Sequence, residues 1–489
     1  MKGAKKTAPP MAKGPETKQP ASLTPDDAAL KAKSRPPTSR LGRLARLGAL
    51  APHALPLAIE GAKRALGSGN GHADPEKARE KILADARKAA HALLKTLGDM
   101  KGVPLKLGQM ASYIDGLAPP GYEEKFQRVL VKLQEKAPPL SPEAAAKVVR
   151  EDLGAPPEEV FASWERQPFA AASIGQVHRA VTRGGETVAV KVQYPGVDKA
   201  IENDLKSLTL LEAFSSPVLR KYHTKQALDE IKDVFLAELD YTREATMADT
   251  FRRINQDIPN IVIPRVNHSL TTRRVLTAEL IGGQTYQDFC NTASQEERSS
   301  AGLTIWQFMF RSMLRYGILY ADPHPGNYRF LGQGRVAFLD FGCVKVLPDV
   351  LLDGMKRYMR AALDGDWEAF DHACVDFLGY DPSDPESFAL YRAYTIELLK
   401  PITTHDIFQW SPQVARESIA YLVRGQKKII FQSGTRLPKI PKPIHPPAES
   451  TFVNRLQWGL ASIMGGLHAQ ARFRSLTEPW IREPRRPLS

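Results

Sequence analysis

Apolar residues recur at helical spacing through the first third of the chain and then give way to β-branched runs. Leu83, Ala86, Ala90, Leu93, Leu94 and Leu97 mark one face of a helix, with Asp74 suited to cap it and Pro75 to its first position. A second helix is predicted from Pro104, carrying Leu105-Lys106-Leu107-Gly108-Gln109-Met110, and a third over residues 122–134. Ser141-Pro142-Glu143 opens a fourth that reaches Leu153. No repeat at a fixed period runs through this region. At Pro168 the pattern changes: residues 169–180 run into Gly184-Gly185 and then Thr187-Val188-Ala189-Val190-Lys191-Val192, which predicts strand, turn, strand. Further on, residues 235–245 read as a helix, residues 276–283 as a strand entering a hinge, and residues 336–339 as an apolar strand within a short hairpin.

Length and charge then divide the chain. A sequence of 489 residues with 43% hydrophobic side chains can fill more than one core. The net charge of +13 is concentrated at one end, because residues 1–46 carry 11 Lys/Arg against 3 Asp/Glu. Residues 1–38 are also rich in Pro, Ala, Ser and Thr, so they bury too little to offset their ordering entropy and read as a disordered basic tail. Directly after it, Arg40, Arg43 and Arg46 interleave with Leu41, Leu44 and Leu47, giving a basic face beside an apolar one. That face suits docking on the protein's own surface or peripheral contact with an anionic membrane. No aromatic residue interleaves with these arginines to stack bases, so nucleic acid is not expected as a partner.

No run of about 18 apolar residues occurs and the N-terminus lacks a secretory apolar core, so neither a membrane span nor export is expected. Cys290, Cys343 and Cys374 form no C-x-x-C pair, which argues against a disulfide framework and against structural zinc. The expected location is cytoplasmic, with peripheral contact at the inner membrane face as the alternative.

Candidate chemistry lies in the second half. A lysine ending a Val-Ala-Val strand, Lys191, is what a kinase-like lobe sets against the α and β phosphates of a nucleotide, although such runs also blunt sheet edges. Downstream, Asp322 and Asn327 are separated by four residues, the spacing of a catalytic loop in which the Asp orients or deprotonates the acceptor and the Asn ligates a metal. Asp340 follows an apolar strand in an Asp-Phe-Gly turn and is a candidate Mg²⁺ ligand bridging to the phosphates. Each alone is weak, but all occur in the order and on the elements that phosphoryl transfer requires. The lysine needs a carboxylate on a neighbouring helix, and residues 235–245 offer Glu238, Asp240 and Glu244, of which Glu244 is the preferred partner. Glu279, on the strand entering the hinge, is placed at the nucleotide.

Together these residues resemble the UbiB/AarF family of atypical kinase-like proteins over residues 35–480. Lys106-Leu107-Gly108-Gln109 is similar to that family's Lys-x-Gly-Gln signature, Ala170-Ala171-Ala172-Ser173 to its alanine-rich nucleotide loop, and Glu238-x-Asp240 to its Glu-x-Asp pair. The resemblance implies an α+β fold: a bilobal protein-kinase-like fold with a helical N-terminal extension lying over the nucleotide site. Domains then follow at residues 1–38 for the tail, 39–155 for the helical extension, 156–282 for the N-lobe and 283–489 for the C-lobe with its C-terminal helical extension.

The resemblance also implies that Lys106 and Gln109 form a regulatory lid contacting Glu238 and Asp240, in space a protein substrate would need. Alanine restricts the backbone more than glycine, so the loop closes less freely over a γ-phosphate. The chain departs from the family pattern at Tyr320, where a histidine is common two residues before the catalytic Asp. Residues 452–480 fall short of a membrane-spanning length.

The function expected is that of an ATP- and Mg²⁺-dependent ATPase, or a small-molecule or lipid kinase, supporting ubiquinone or isoprenoid-lipid metabolism. Its partners would be ATP or ADP, an isoprenoid lipid or quinone precursor, and peripherally the membrane. The alternatives are an active protein kinase, disfavoured by the lid and the alanine loop, and a non-catalytic nucleotide-sensing scaffold.

Overall fold

Ser141 accepts a hydrogen bond from the Ala144 amide and Pro142 starts the helix α1 (Pro142–Leu153), which Gly154 ends in the left-handed conformation at φ 81°. The computed structural model describes residues 141–172, 174–199, 201–202, 236–417 and 450–488, all within one compact unit. A short helix, α2 (Pro157–Val160), leads into the strands β1 (Ser163–Trp164), β2 (Ala170–Ala171), β3 (Gly175–Val181) and β4 (Thr187–Gln193). With β6 (Val275–Glu279) they form an antiparallel sheet in the order β1-β3-β4-β6, and β2 pairs with β3.

Strand alternation decides which face of this sheet is the core. Val188, Val190 and Val192 of β4 pack with Ala145, Val148 and Val149 of α1 and with Val275. Asp152 fastens α1 to the sheet by accepting from Thr272 Oγ1 at 2.6 Å and from Arg274 Nε at 2.8 Å. The helix that sequence reading grouped with the N-terminal extension therefore packs on the sheet of the small lobe.

Helix α3 (Tyr241–Ile254) lies on the other side of the sheet and ends in the core of the large lobe through Phe251 and Ile254. The large lobe is built on the helices α4 (Tyr286–Thr292) and α5 (Gln295–Tyr316), the latter opened by a capping box between Ser294 and Glu297 and closed by left-handed Gly317. Two small sheets sit against α5: β7 (Ile318–Tyr320) with β10 (Val344–Val346), and the set in which β9 (Val336–Phe338) lies between β5 (Ile261–Val262) and β8 (Tyr328–Phe330). The helices α6 (Asp349–Asp364), α7 (Trp367–Leu378), α8 (Pro385–Thr403), α9 (Ser450–Leu467) and α10 (Phe473–Arg482) complete this lobe, with β11 (Phe408–Gln409) and β12 (Gln470–Ala471) paired between them. The tail, most of the expected helical extension with Lys106 and Gln109, and Ser173 lie outside the described residues.

Candidate nucleotide and phosphoryl-transfer site

With its valines turned toward α1, β4 presents Lys191 to the opposite face, toward α3. Its Nζ donates to Glu244 Oε1 and Oε2 at 3.0 and 3.1 Å and to Asp340 Oδ2 at 3.0 Å. The Tyr241 ring stands 5.0 Å from the same nitrogen and offers it a π face. Of the three acidic residues in 235–245, Glu244 is thus the one that reaches the lysine.

The helix expected across 235–245 is broken. Residues 236–238 are helical, Leu239 turns, and Asp240 is extended, its Oδ1 accepting from the Thr242 amide at 3.0 Å as the cap of α3. Local capping chemistry at Asp240 overrides the periodicity, and Glu244 follows one turn later on the buried side. Glu238 is buried, and a Cβ built on Gly342 would stand 3.6 Å from its Cγ, so it lies against the Asp-Phe-Gly turn.

Asp340 Oδ1 accepts from the Gly342 amide at 3.0 Å, while the Phe341 amide donates to Glu244 Oε1 at 3.4 Å. The catalytic-loop candidates are locked to this turn through the backbone. Asn327 ends a 3₁₀ turn over Pro325–Asn327 and its carbonyl accepts from the Leu339 amide at 3.0 Å, next to Asp340. Asn327 Nδ2 donates to the Asp322 carbonyl at 3.0 Å and to Asp322 Oδ2 at 3.4 Å. The Ala321 amide donates to the Cys343 carbonyl at 2.9 Å, closing the arrangement.

Tyr320, the departure from the family pattern, is a packing residue. Its buried ring meets Phe341 edge-on at 5.7 Å and Phe308 at 5.3 Å, joining the Asp322–Asn327 loop to the Asp-Phe-Gly turn.

The alanine-rich segment forms β2, with Ala170 opposite Val177 and Ala171 opposite Gln176, and the Ala172 amide donating to the Gly175 carbonyl at 2.8 Å. Glu279 stands at the end of β6 and pairs with Arg265 at 3.3 Å. Two site residues escaped sequence reading. Tyr241 takes the first position of α3 against Lys191, and Gln193 Nε2 donates to the carbonyls of Leu239 and Arg273 at 3.0 and 3.1 Å, holding the start of α3 to the sheet. The only signal for Tyr241 was its place after the Asp240 cap, and Gln193 had none.

Two carboxylates share one ammonium here, and the acid–base balance follows from that. Burial pulls Lys191 down, but Asp340 and Glu244 outweigh it and hold the lysine well above its ordinary range, so it stays charged. Burial pushes Glu244 up, against the pull of Lys191 and with the push of Asp340, to about 7.

Among the described residues no group of three or more His, Cys, Asp or Glu forms a metal cage. The donors on offer are hard oxygens, the Asp340 carboxylate and the Asn327 amide, which suits Mg²⁺ held by few protein ligands together with phosphates. Polar acceptors, a fixed cation and a capped helix converge where β4, α3 and the Asp-Phe-Gly turn meet.

The family model of the ABC1 atypical kinase-like domain matches residues 132–373. The chain belongs to this ABC1, or UbiB/AarF, family of atypical kinases. Its curated relatives include the mitochondrial atypical kinase COQ8B of Rattus norvegicus, 33% identical over 332 residues, covering 68% of this chain and 61% of the relative. The mitochondrial atypical kinase coq-8 of Caenorhabditis elegans is 30% identical over 338 residues, covering 68% and 44%. The chain thus spans about half to three-fifths of the length of these relatives. The solved complex of Rv3197 with erythromycin from Mycobacterium tuberculosis matches at a TM-score of 0.56 and 26% identity, covering 83% of this chain and all of that one. In sequence β6 of the small lobe falls between β5 and the strands β8 and β9 with which β5 shares a sheet of the large lobe. No helix among the described residues is long and apolar enough to cross a membrane.

Proposed function

We propose that this ABC1-family chain binds ATP with Mg²⁺ and acts as an ATPase or as a kinase of a small molecule or lipid, supporting ubiquinone or isoprenoid-lipid metabolism. The observation that carries the reading is the meeting of Lys191 with Glu244 and Asp340, with the Asp322–Asn327 loop tied to the same turn. Family membership, with relatives called COQ8B and coq-8, supports the metabolic context.

In this reading Lys191 binds the α and β phosphates, and Glu244 holds the lysine in register. Asp340 and Asn327 hold Mg²⁺, which when bound neutralises charge on the transferring phosphate. Asp322 Oδ accepts the proton of the attacking hydroxyl or water, and Asn327 Nδ2 orients the Asp322 loop. Ala170, Ala171, Ala172 and Ser173 cover the phosphates, and Glu279 stands at the hinge. Lys106 and Gln109 act as a lid toward Glu238 and Asp240. The domain boundaries at residues 38, 155 and 282 and a peripheral, anionic-lipid contact for the basic N-terminal region belong to the same proposal.

The deciding measurement is ATP turnover by the purified full chain, with and without isoprenoid lipids and quinone-precursor mimics. Asp340→Asn is expected to lower turnover at least about a hundredfold, and at least one lipid or mimic to change the wild-type rate. A flat response to every lipid would remove the metabolic assignment. Label transfer from γ-labelled ATP to a protein in trans, absent in Asp340→Asn, would replace the small-molecule reading with a protein kinase.

A further inference from the structure

The sheet of β5, β9 and β8 has one face in the core of the large lobe. Ile261, Val336, Tyr328, Phe330 and Phe338 belong to that core, with Phe330 stacked on Phe289 of α4 at 4.2 Å and Phe338 on Phe308 of α5 at 3.7 Å. Strand alternation turns the residues between them, Val262, Ala337 and Arg329, to the opposite face, away from α4 and α5. Two of these are apolar and the third is a half-buried cation.

Among the described residues no carboxylate pairs with Arg329. Its Nη1 donates to the Tyr328 carbonyl at 2.8 Å, and burial, with no neighbouring charge to oppose it, pulls the guanidinium below its ordinary range. A cation drawn this far from water without an anion gives up hydration and gains no ion pair for it. Such a group suits a partner that is not part of the chain.

Both ends of β8 lead to the nucleotide site. Asn327, a proposed metal ligand, stands two residues before Arg329, roughly 7 Å along an extended chain. Phe330, the residue after it, exchanges backbone hydrogen bonds with Gln284 at 2.9 and 3.0 Å, where the chain arrives from β6 through residues 280–283. That junction is tight: at Gly283, φ 103°, a Cβ would stand 2.7 Å from the Phe330 carbonyl oxygen, so the hinge backbone lies directly on β8. Arg329 thus sits between the metal end and the hinge end of the site.

We infer that Arg329 contacts the base of the bound nucleotide, its guanidinium stacked on the purine ring, and is a specificity-determining residue; this rests on the proposal that the chain binds ATP. A guanidinium is planar, weakly hydrated and stacks on aromatic faces. The N–H bond to Tyr328 lies in the plane of the group and does not use those faces. Val262 and Ala337 add apolar surface to the same face of the sheet, which a flat base can cover. The phosphates are served by Lys191 and the Mg²⁺ ligands, whereas Arg329 stands on the hinge side of Asn327.

Calorimetric titration of the full chain with ADP and, separately, with pyrophosphate, each in excess Mg²⁺, tests this. Arg329→Met keeps the length of the stem and removes the charge and the planar group. It is expected to weaken ADP binding about three- to thirtyfold and to leave pyrophosphate affinity within about twofold of wild type. Equal ADP affinity in wild type and variant would overturn the contact. So would an equal loss for ADP and pyrophosphate, which would put the guanidinium at the phosphates. No ADP binding by wild type would remove the nucleotide reading itself, and the inference with it. If Arg329→Met melts early, Arg329→Gln gives the same comparison.

Discussion

At Lys191 the surroundings carry two opposed charges of carboxylate against one of ammonium, and the stability of the fold depends on how they are balanced. Lys191→Met keeps most of the packing but leaves Glu244 buried without its cation. Removing one member of a buried pair costs about 3 to 5 kcal/mol. The cost should depend on pH with a definite sign. Glu244 is raised by burial, so the stability it contributes is full below its ordinary value of 4.5 and is lost as pH rises through about 7. Without the lysine the shift grows, so urea midpoints of wild type and Lys191→Met should lie closer at pH 5.5 than at pH 8. A pH-independent gap would refute this balance.

His178 has the opposite sign. It is buried, stacks on Trp164 at 4.4 Å and meets Gln176 Nε2 at 2.9 Å, and burial lowers its pKa despite the Glu165 carbonyl at 2.9 Å. Its neutral form is the folded one, so the stability it contributes is present above 6.5 and declines as pH falls below that value. The stability advantage of wild type over His178→Gln should therefore shrink from pH 7.5 to pH 5.5 in paired melts, and a constant difference would count against a neutral buried imidazole. Lys191, Asp322, Asn327 and Asp340 were legible as residues because their chemistry and spacing are local to short motifs. The choice of Glu244 over Glu238 and Asp240 rested on the kinase-like motif context, and distances distinguish it as the lysine's partner.

Among the elements, α9 supports the Asp322–Asn327 loop from behind. Gly459 packs so closely on Pro323 that a Cβ there would overlap the proline ring, which lies beside Asp322. Gly459→Ala should shift the loop without touching the lysine side of the cleft. About tenfold lower kcat with ADP affinity within about twofold is the expected pattern, since small misplacements of a reacting group are costly. Equal losses in both would mean that α9 supports the whole cleft instead. The start of α1 at Ser141 and the strand ending at Lys191 could be read from capping and alternation, because both signals are carried within a few residues. The break at Asp240 could not. Helical periodicity spans it, and only the Thr242 amide waiting for a cap, together with Gln193 pinning Leu239, makes the interruption favourable.

For the whole molecule, the large lobe depends on elements that meet across long stretches of sequence. Trp306 of α5 stacks on Phe310 at 4.1 Å, meets Phe473 of α10 at 4.6 Å and donates from Nε1 to Thr477 Oγ1 at 2.8 Å. Trp306→Ala should cost about 3 to 5 kcal/mol through the cavity and the lost hydrogen bond to Thr477 Oγ1, which keeps its own bond to the Phe473 carbonyl, readable in denaturant melts; a loss below about 1 kcal/mol would mean that α10 is not structurally coupled to α5. Beyond α10 the chain continues to strap this lobe, with Lys356 Nζ donating to the Glu483 carbonyl at 2.7 Å and Arg485 Nη1 to the Leu347 carbonyl at 3.1 Å.

By itself the sequence singled out the candidate residues of the site and the order of its parts, because a strand lysine, an Asp-x4-Asn loop and an Asp-Phe-Gly turn are each written within a few residues. Only the tertiary structure decided that α1 packs on the small-lobe sheet, that Tyr320 is a packing ring, and that Tyr241 and Gln193 hold α3 to β4. It alone set Arg329 and Val262, on either side of Ala337, on the sheet face turned away from the core. Those outcomes rest on contacts between residues tens to hundreds of positions apart, whose energies arise when the lobes close and leave no periodic trace along the chain.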